Sequence, residues 1–206
     1  MGPAATEPRL LTPADAERAA WVIAQAFVED PLVAHMLPNT HTRARTLVKF
    51  FRAYGGASIR GGRVWGVGEP LMGVAYWKTP GQEGLSISVK SLGVFLPLLF
   101  TAYPIGILRA RASLDRQDSL YKKYAAHPHY YLDNLGVLAE ARGQGLSSRL
   151  IRPFLQQADE QKVIAYTDTY SAANVPLYQH FGFEVVEEAA IPGTALTLWA
   201  LLRTPR

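Results

Sequence analysis

The stretch His129-Tyr130-Tyr131-Leu132-Asp133-Asn134-Leu135-Gly136-Val137-Leu138, continuing as Ala139-Glu140-Ala141-Arg142-Gly143-Gln144-Gly145-Leu146-Ser147, decides the fold. Its first half is a β-rich apolar run. Its second half is a glycine-containing turn that opens a helix from about residue 144 to 160. The first amides of a helix have no intrahelical partner, and the aligned peptide dipoles place partial positive charge there. Glycines remove the Cβ and let an anion approach those amides, and Arg142 adds a permanent cation. Strand, glycine turn and helix together therefore read as a phosphate-binding turn. The segment lacks the Gly-Lys-Ser/Thr ending of a Walker loop and the full Gly-x-Gly-x-x-Gly spacing of a dinucleotide site.

Reading outward, Val163–Asp168 is a strand, Asn174–Phe181 a helix, and Phe183–Glu188 and Thr194–Leu202 are strands. Upstream, Thr12-Pro13-Ala14-Asp15 is a helix start, followed by apolar residues at helical spacing to Phe27. Asp30-Pro31 breaks that helix, and Thr40 to Ala57 forms another, with Gly55-Gly56 and Gly61-Gly62 bracketing its exit. Val64-Trp65-Gly66-Val67 and Met72 to Trp77, split by Gly68-Glu69-Pro70, form a hairpin. Residues 85–126 are helical in composition, apolar first and charged later. The expected fold class is α/β (α+β): a mixed sheet flanked by helices. The expected organisation is one domain over 1–206, with a flexible N-terminus (1–8) and a helical insertion (85–126).

Composition narrows the function classes. Of the 206 residues 49% are hydrophobic and 18% charged, enough to bury a core. There is no cysteine, which excludes disulfides, thiol nucleophiles and cysteine metal sites, and suits a cytoplasmic location. A net charge of +4 without any long basic run argues against a nucleic-acid partner. The N-terminus carries no secretory signal, and Leu92–Leu108, interrupted by Pro97 and Pro104, is too short for a membrane span of about 20 residues. His127-Pro128-His129 has metal-like spacing but no acid or thiol cluster to complete a site, so no metal is expected.

Leu135-Gly136-Val137 followed by Arg142 to Ser147 resembles the central motif of the GNAT N-acetyltransferases, (Gln/Arg)-x-x-Gly-x-(Gly/Ala). Asn174-Val175-Pro176-Leu177-Tyr178-Gln179-His180-Phe181-Gly182-Phe183 resembles that superfamily's Asn-x-x-x-Tyr-x-x-x-Gly-Phe segment. The resemblance spans about residues 129–203 and, more loosely, 9–80. Ser147 departs from the usual Gly or Ala, but it is small and brings its own donor. Ala26-Phe27 with Asp30-Pro31, Trp77-Lys78-Thr79-Pro80 and Tyr130-Tyr131-Leu132 are most similar to the puromycin N-acetyltransferase type. The resemblance implies a centrally splayed sheet that takes acetyl-coenzyme A in the gap. Leu135 and Val137 backbone groups would hold the pantetheine arm, and Arg142, Gly143, Gln144, Gly145, Leu146 and Ser147 the pyrophosphate.

The resemblance also implies that Tyr178 is the acid that protonates the leaving thiolate; by spacing alone it reads as core packing with Phe181 and Phe183. Asp133 stands four residues before Val137, on the same strand face by alternation, and is the first candidate for the base. Asp168 is its rival. Asn174 reads as a helix cap with a second duty to the cofactor arm. The acceptor pocket is expected from Phe27, Glu29 and Asp30, from 94–103 with Phe95, Phe100 and Tyr103, and from Ile191-Pro192-Gly193. Apolar walls with a carboxylate suit a small, amphipathic, antibiotic-like primary amine; the apolar insertion reads equally well as core or a dimer surface. A protein-tail acetyltransferase, which predicts an acidic open groove, and a non-catalytic acyl-CoA-binding module are the alternatives. The assembly is expected to be a monomer or homodimer.

Overall fold

A computed structural model describes residues 7–82 and 103–206 of the chain. Seven strands form one mixed sheet in the order β1-β2-β3-β4-β5-β7-β6. They are β1 (Arg9–Leu10), β2 (Val64–Val67), β3 (Gly73–Lys78), β4 (His129–Val137), β5 (Ile164–Thr169), β6 (Glu184–Ala190) and β7 (Thr197–Arg203). The helices are α1 (Ala16–Phe27), α2 (Pro31–Met36), α3 (Thr40–Arg60), α4 (Tyr103–Tyr124), α5 (Leu146–Gln161) and α6 (Val175–His180). Every strand except the short β1 was legible from pattern. Helix α3 outruns its expected end because Gly55 stays helical: a Cβ there would meet the Tyr76 hydroxyl at 2.5 Å, so glycine lets the helix lie against β3. Gly62, at φ +67°, ends the run instead.

The Thr12 start signal forms as read. The Asp15 carboxylate accepts from the Thr12 amide at 2.8 Å and its hydroxyl at 2.9 Å, closing a short 3-10 turn before α1. On one sheet face α1 and α3 cover β3 and β4; a Cβ on Gly136 would lie 2.7 Å from both Ala26 and Ile23 of α1. The other face is covered by α5, whose buried Leu146, Leu150, Ile151, Phe154 and Leu155 follow helical spacing. Trp77 anchors that contact by donating its indole N–H to the Leu150 carbonyl at 3.0 Å.

Strands β4 and β5 are parallel, but they pair only from His129 with Ile164 to Leu132 with Thr167. The Thr167 hydroxyl donates to the Leu132 carbonyl at 3.0 Å and pins that last rung. Beyond it β4 stays with β3 as far as Val137, while β5 stays with β7 as far as Thr169. The sheet therefore forks, which is the expected splay. A register shift pairs Tyr76 with Asn134 and Trp77 with Leu132, leaving Asp133 as an extra residue. This bulge corrects the alternation: Asp133 meets Tyr54 of α3 on the α1 face, whereas Val137 lies on the α5 face beside Leu150.

Of the expected insertion, residues 103–124 are helical and pack against α2 and β7; Phe95, Phe100 and the span-like stretch before residue 103 lie outside the described residues. Among the described residues no helix is long and apolar enough to cross a membrane.

Because α1 seats directly on Gly136, Gly136→Val is expected to destabilise the protein by about 1–3 kcal/mol through overpacking, read as a lowered urea midpoint with an unchanged m-value.

Candidate active site

The forked strands bound two connected spaces. One is a groove of about 690 Å³ running from the Arg142–Ser147 turn past Val137 and Leu135 to Tyr178. The other is a cavity of about 250 Å³ beneath α1–α4. Phe27, Asp30, Leu135, Asn174 and Tyr178 line both, so they mark the junction.

The groove's far end has the geometry of an anion cradle. Gly143 and Gly145 have φ of +78° and +75°, and no atom lies within 4 Å of where a Cβ would sit on either. Gly145 caps α5 with no side-chain hydrogen bond, and the first turn of α5 holds no acidic residue, so its amides remain available. Arg142, Leu146 and Ser147 line the same end. The Gln144 side chain turns away to donate to the Glu140 carbonyl at 3.2 Å, leaving only its backbone for the cradle. Along the groove, the β5-facing edge of Asn134–Val137 pairs with no described strand, offering an extended arm an open backbone edge. A pyrophosphate on a flexible arm fits this combination.

The cavity brings three acids together, each compensated differently. Asp133 takes the Tyr54 hydroxyl proton in a hydrogen bond and has Lys78 Nζ at 4.0 Å. Asp30 accepts from the Leu32 and Val33 amides at 3.0 and 3.2 Å, both on Oδ1, which caps α2; burial raises its pKa. Asp168 is held by neutral donors, Gln117 Nε2 at 2.7 Å and the Tyr131 hydroxyl at 3.3 Å. Burial first, and then the negative charge of Asp133, push Asp168 up to about 7. Tyr178 is buried at the junction, where desolvation and then the Asp168 charge hold its phenol well above the usual tyrosine range, so it stays protonated.

Several expected site residues sit differently. Glu29 lies on the groove side, its side chain 81% exposed and 3.4 Å from Arg43, and it does not line the cavity. Asn174 caps no helix with its side chain; it donates to the Thr169 hydroxyl at 3.3 Å. The Ile191-Pro192-Gly193 turn is absent from the described cavity lining: Ile191 is core, and Pro192 and Gly193 border a separate surface hollow with His35 and Leu108. Phe27, Asp30, Tyr103, Asp133 and Asp168 do line the cavity. The His129 ring is occupied, Nδ1 by the His127 carbonyl at 2.6 Å and Nε2 by the Tyr121 hydroxyl at 3.0 Å. Sequence reasoning passed over Tyr54 and Gln117. Tyr54 carried only an apolar-face signal, and Gln117 sits in a charged helical run.

A groove whose glycine turn leaves room for an anion meets an acid-lined cavity at a buried tyrosine, an arrangement that can bring two substrates together. Residues 87–183 match the acetyltransferase (GNAT) family. An uncharacterised N-acetyltransferase from Schizosaccharomyces pombe is 26% identical over 182 residues, spanning 82% of this chain and 70% of its own. Among solved structures, the fold is similar to an acetyltransferase of Corynebacterium glutamicum described as histone acetyltransferase HPA2 and related (TM-score 0.65, 19% identity, 100% of this chain and 98% of that one). It is also similar to a Drosophila melanogaster polyamine N-acetyltransferase (TM-score 0.59, 13% identity, 96% and 98%). The C-terminal condensation domain of Ebony, solved with β-alanyl-dopamine, shares it too (TM-score 0.69, 9% identity, 96% and 98%). At these identities the structures speak for the fold alone. The family match, the relative and the fold together support the GNAT acetyltransferase superfamily, and the protein is an acyltransferase.

Gly143→Ala adds about 1–2 kcal/mol of left-handed backbone strain to the turn whose amides would meet an anion. Calorimetric titration with coenzyme A is expected to show Kd raised roughly tenfold or more, with no comparable change for an amine ligand.

Proposed function

We propose that the protein is an acetyl-CoA-dependent N-acetyltransferase that acts on the primary amine of a small molecule, by direct attack in a ternary complex. The observation that carries this reading is the junction: the anion-cradling groove and the acid-lined cavity meet at Tyr178. Acetyl-CoA, when bound, would supply a thioester-activated acetyl group and a thiolate leaving group. Leu135 and Val137 would hold its arm along the open edge of β4, and Arg142 to Ser147 its pyrophosphate. The resemblance of residues 26–31, 77–80 and 130–132 to the puromycin N-acetyltransferase type supports a small-molecule acceptor. So does the small cavity of about 250 Å³, whose three acids sit among aromatic and aliphatic walls rather than along the open acidic groove that a protein tail needs.

In this reading the amine enters as an ammonium and must lose a proton. We assign that proton to Asp168, possessed of a pKa of about 7 and held in place by Gln117 and Tyr131. A base poised near working pH combines a useful ionised fraction with useful basicity. Asp133, first in line by sequence, is tied to Tyr54 and Lys78 and acts instead through its charge, which keeps Asp168 high. Tyr178 Oη holds the proton that the leaving thiolate takes.

Thiol release from acetyl-CoA across small amines, amine antibiotics, polyamines and tail peptides tests the activity. Turnover of peptides alone would sink the small-molecule reading. Tyr178→Phe is expected to lower kcat by about 10²–10⁴-fold with KM for acetyl-CoA little changed; full turnover in that variant would remove Tyr178 from the chemistry.

The two acids separate by pH. For the base to work it must be ionised, so activity should rise with pH through about 7. Asp168→Asn should abolish that limb. Asp133→Asn removes a neighbouring negative charge and should move the limb to lower pH. Gln117→Leu removes a donor that favours the carboxylate and should move it to higher pH. A limb lost in Asp133→Asn and kept in Asp168→Asn would reverse the assignment.

A further inference from the structure

The cavity carries its own statement about the acceptor. Its outer wall is a run of rings in mutual contact: Phe27 to Phe51 at 5.8 Å, Phe51 to Phe50 at 5.0 Å, and Phe50 to Tyr103 at 5.0 Å and nearly parallel. Phe50, Phe51 and Tyr103 line the cavity and not the groove, so these three rings lie away from the groove, whereas Asp168 lies near enough to the junction for its charge to act on Tyr178. At about 250 Å³ the space falls below the roughly 300–1,000 Å³ of drug-sized sites.

The charges limit the occupant further. Asp133 already faces Lys78 and Tyr54, and Asp30 is taken up by the α2 amides, where the helix dipole favours its negative charge. Asp168 alone of the three is attended by neither a cation nor a helix end among the described residues. One ammonium completes this arrangement. A second ammonium would meet only acids that already have partners, Asp133 with Lys78 and Tyr54 and Asp30 with the α2 amides, a poorer pairing for a buried charge. A carboxylate fares no better, because no Lys, Arg or His is among the described lining residues.

We propose that the acceptor is a compact arylalkyl primary monoamine, its ring against the Phe50–Phe51–Tyr103 wall and its ammonium beside Asp168. This rests on the acetyltransferase reading for the reaction, but not for the binding. The class excludes diamines, polyamines and aromatic amino acids, and it is narrower than amine antibiotics at large.

Two measurements on the whole protein test it. Thiol release is compared for phenethylamine, tryptamine, n-butylamine, putrescine and phenylalanine. Calorimetric titration with the same amines is run in the presence of coenzyme A. The arylalkylamines are expected to exceed n-butylamine by roughly tenfold or more in both kcat/KM and affinity, from burying one ring against aromatic neighbours. Putrescine and phenylalanine should bind more weakly still. Phe50→Ala should shrink the ratio of phenethylamine to n-butylamine, and Asp168→Asn should abolish phenethylamine binding, both with an unfolding midpoint close to that of the parent. Equal or better binding of n-butylamine or putrescine overturns the proposal, as does absence of phenethylamine binding. Selective binding that depends on Asp168, without turnover of any amine, supports the ligand class and overturns the acetyltransferase reading instead.

Discussion

The last rung between β4 and β5 governs the site. The Leu132–Thr167 pairing, reinforced by the Thr167 hydroxyl, ends the parallel ladder in the middle of the sheet. Every later residue of β4 then has a backbone edge with no described strand beside it, a row of polar groups that calls for another partner. Had the ladder continued to Val137, the gap would close and the groove would lose its open strand edge. The fork is held open from both faces. Glycine at 136 lets α1 seat on one side of β4, and α5 starts on the other directly after the left-handed Gly145.

The bulge at Asp133 is the second consequence of that fork. A regular strand would send Asp133 toward α5, the face on which Val137 lies. The extra residue instead turns it toward α3, where the Tyr54 hydroxyl waits. Two acids then share one low-dielectric cavity, and their energies are coupled: the ionised Asp133 makes ionisation of Asp168 harder. The protein resolves the conflict by unequal partnering. A cation and a phenol attend Asp133, and only an amide and a phenol attend Asp168. Inequality of this kind is how one cavity sets two neighbouring acids apart, with Asp168 pushed up to about 7.

How much of this was legible in sequence follows from the range of each interaction. The cradle is local: Arg142 to Ser147 are contiguous, and glycines at 143 and 145 require only a strand before them and a helix after. Element order was legible for the same reason, since hydrophobic period and turn residues act over a few positions. Asp133 was found as a residue but placed on the wrong face, because period-two counting has no term for a bulge set by the register with β3. Asn174 was read as a cap from its type, whereas its amide is drawn to Thr169 across the turn. Glu29 was paired with Asp30 by adjacency, yet the chain turns between them and sends one to solvent and the other to the junction. Tyr54 and Gln117 were invisible because their partners lie 79 and 51 positions away.

That division has a functional side. The groove proposed for the donor is made mostly of backbone: amides, left-handed glycines and a strand edge with no described partner. The cavity proposed for the acceptor is made of side chains from β4, β5 and the helices α1 to α4, whose positions depend on long-range packing. Helix α4 is the clearest case. Arg116 and Lys123 bind Glu187 of β6 at 2.6 and 2.7 Å, and Tyr124 adds a third contact at 2.8 Å, fixing the helix to the far edge of the sheet. Those three contacts are partly exposed and individually weak, but they share one carboxylate and act on one helix. Gln117, next to Arg116 and about two turns before Lys123 and Tyr124, is thereby held against Asp168. An element anchored at one sheet edge thus supports the acid at the fork, so a change in α4 alters the acceptor side of the site while leaving the cradle untouched.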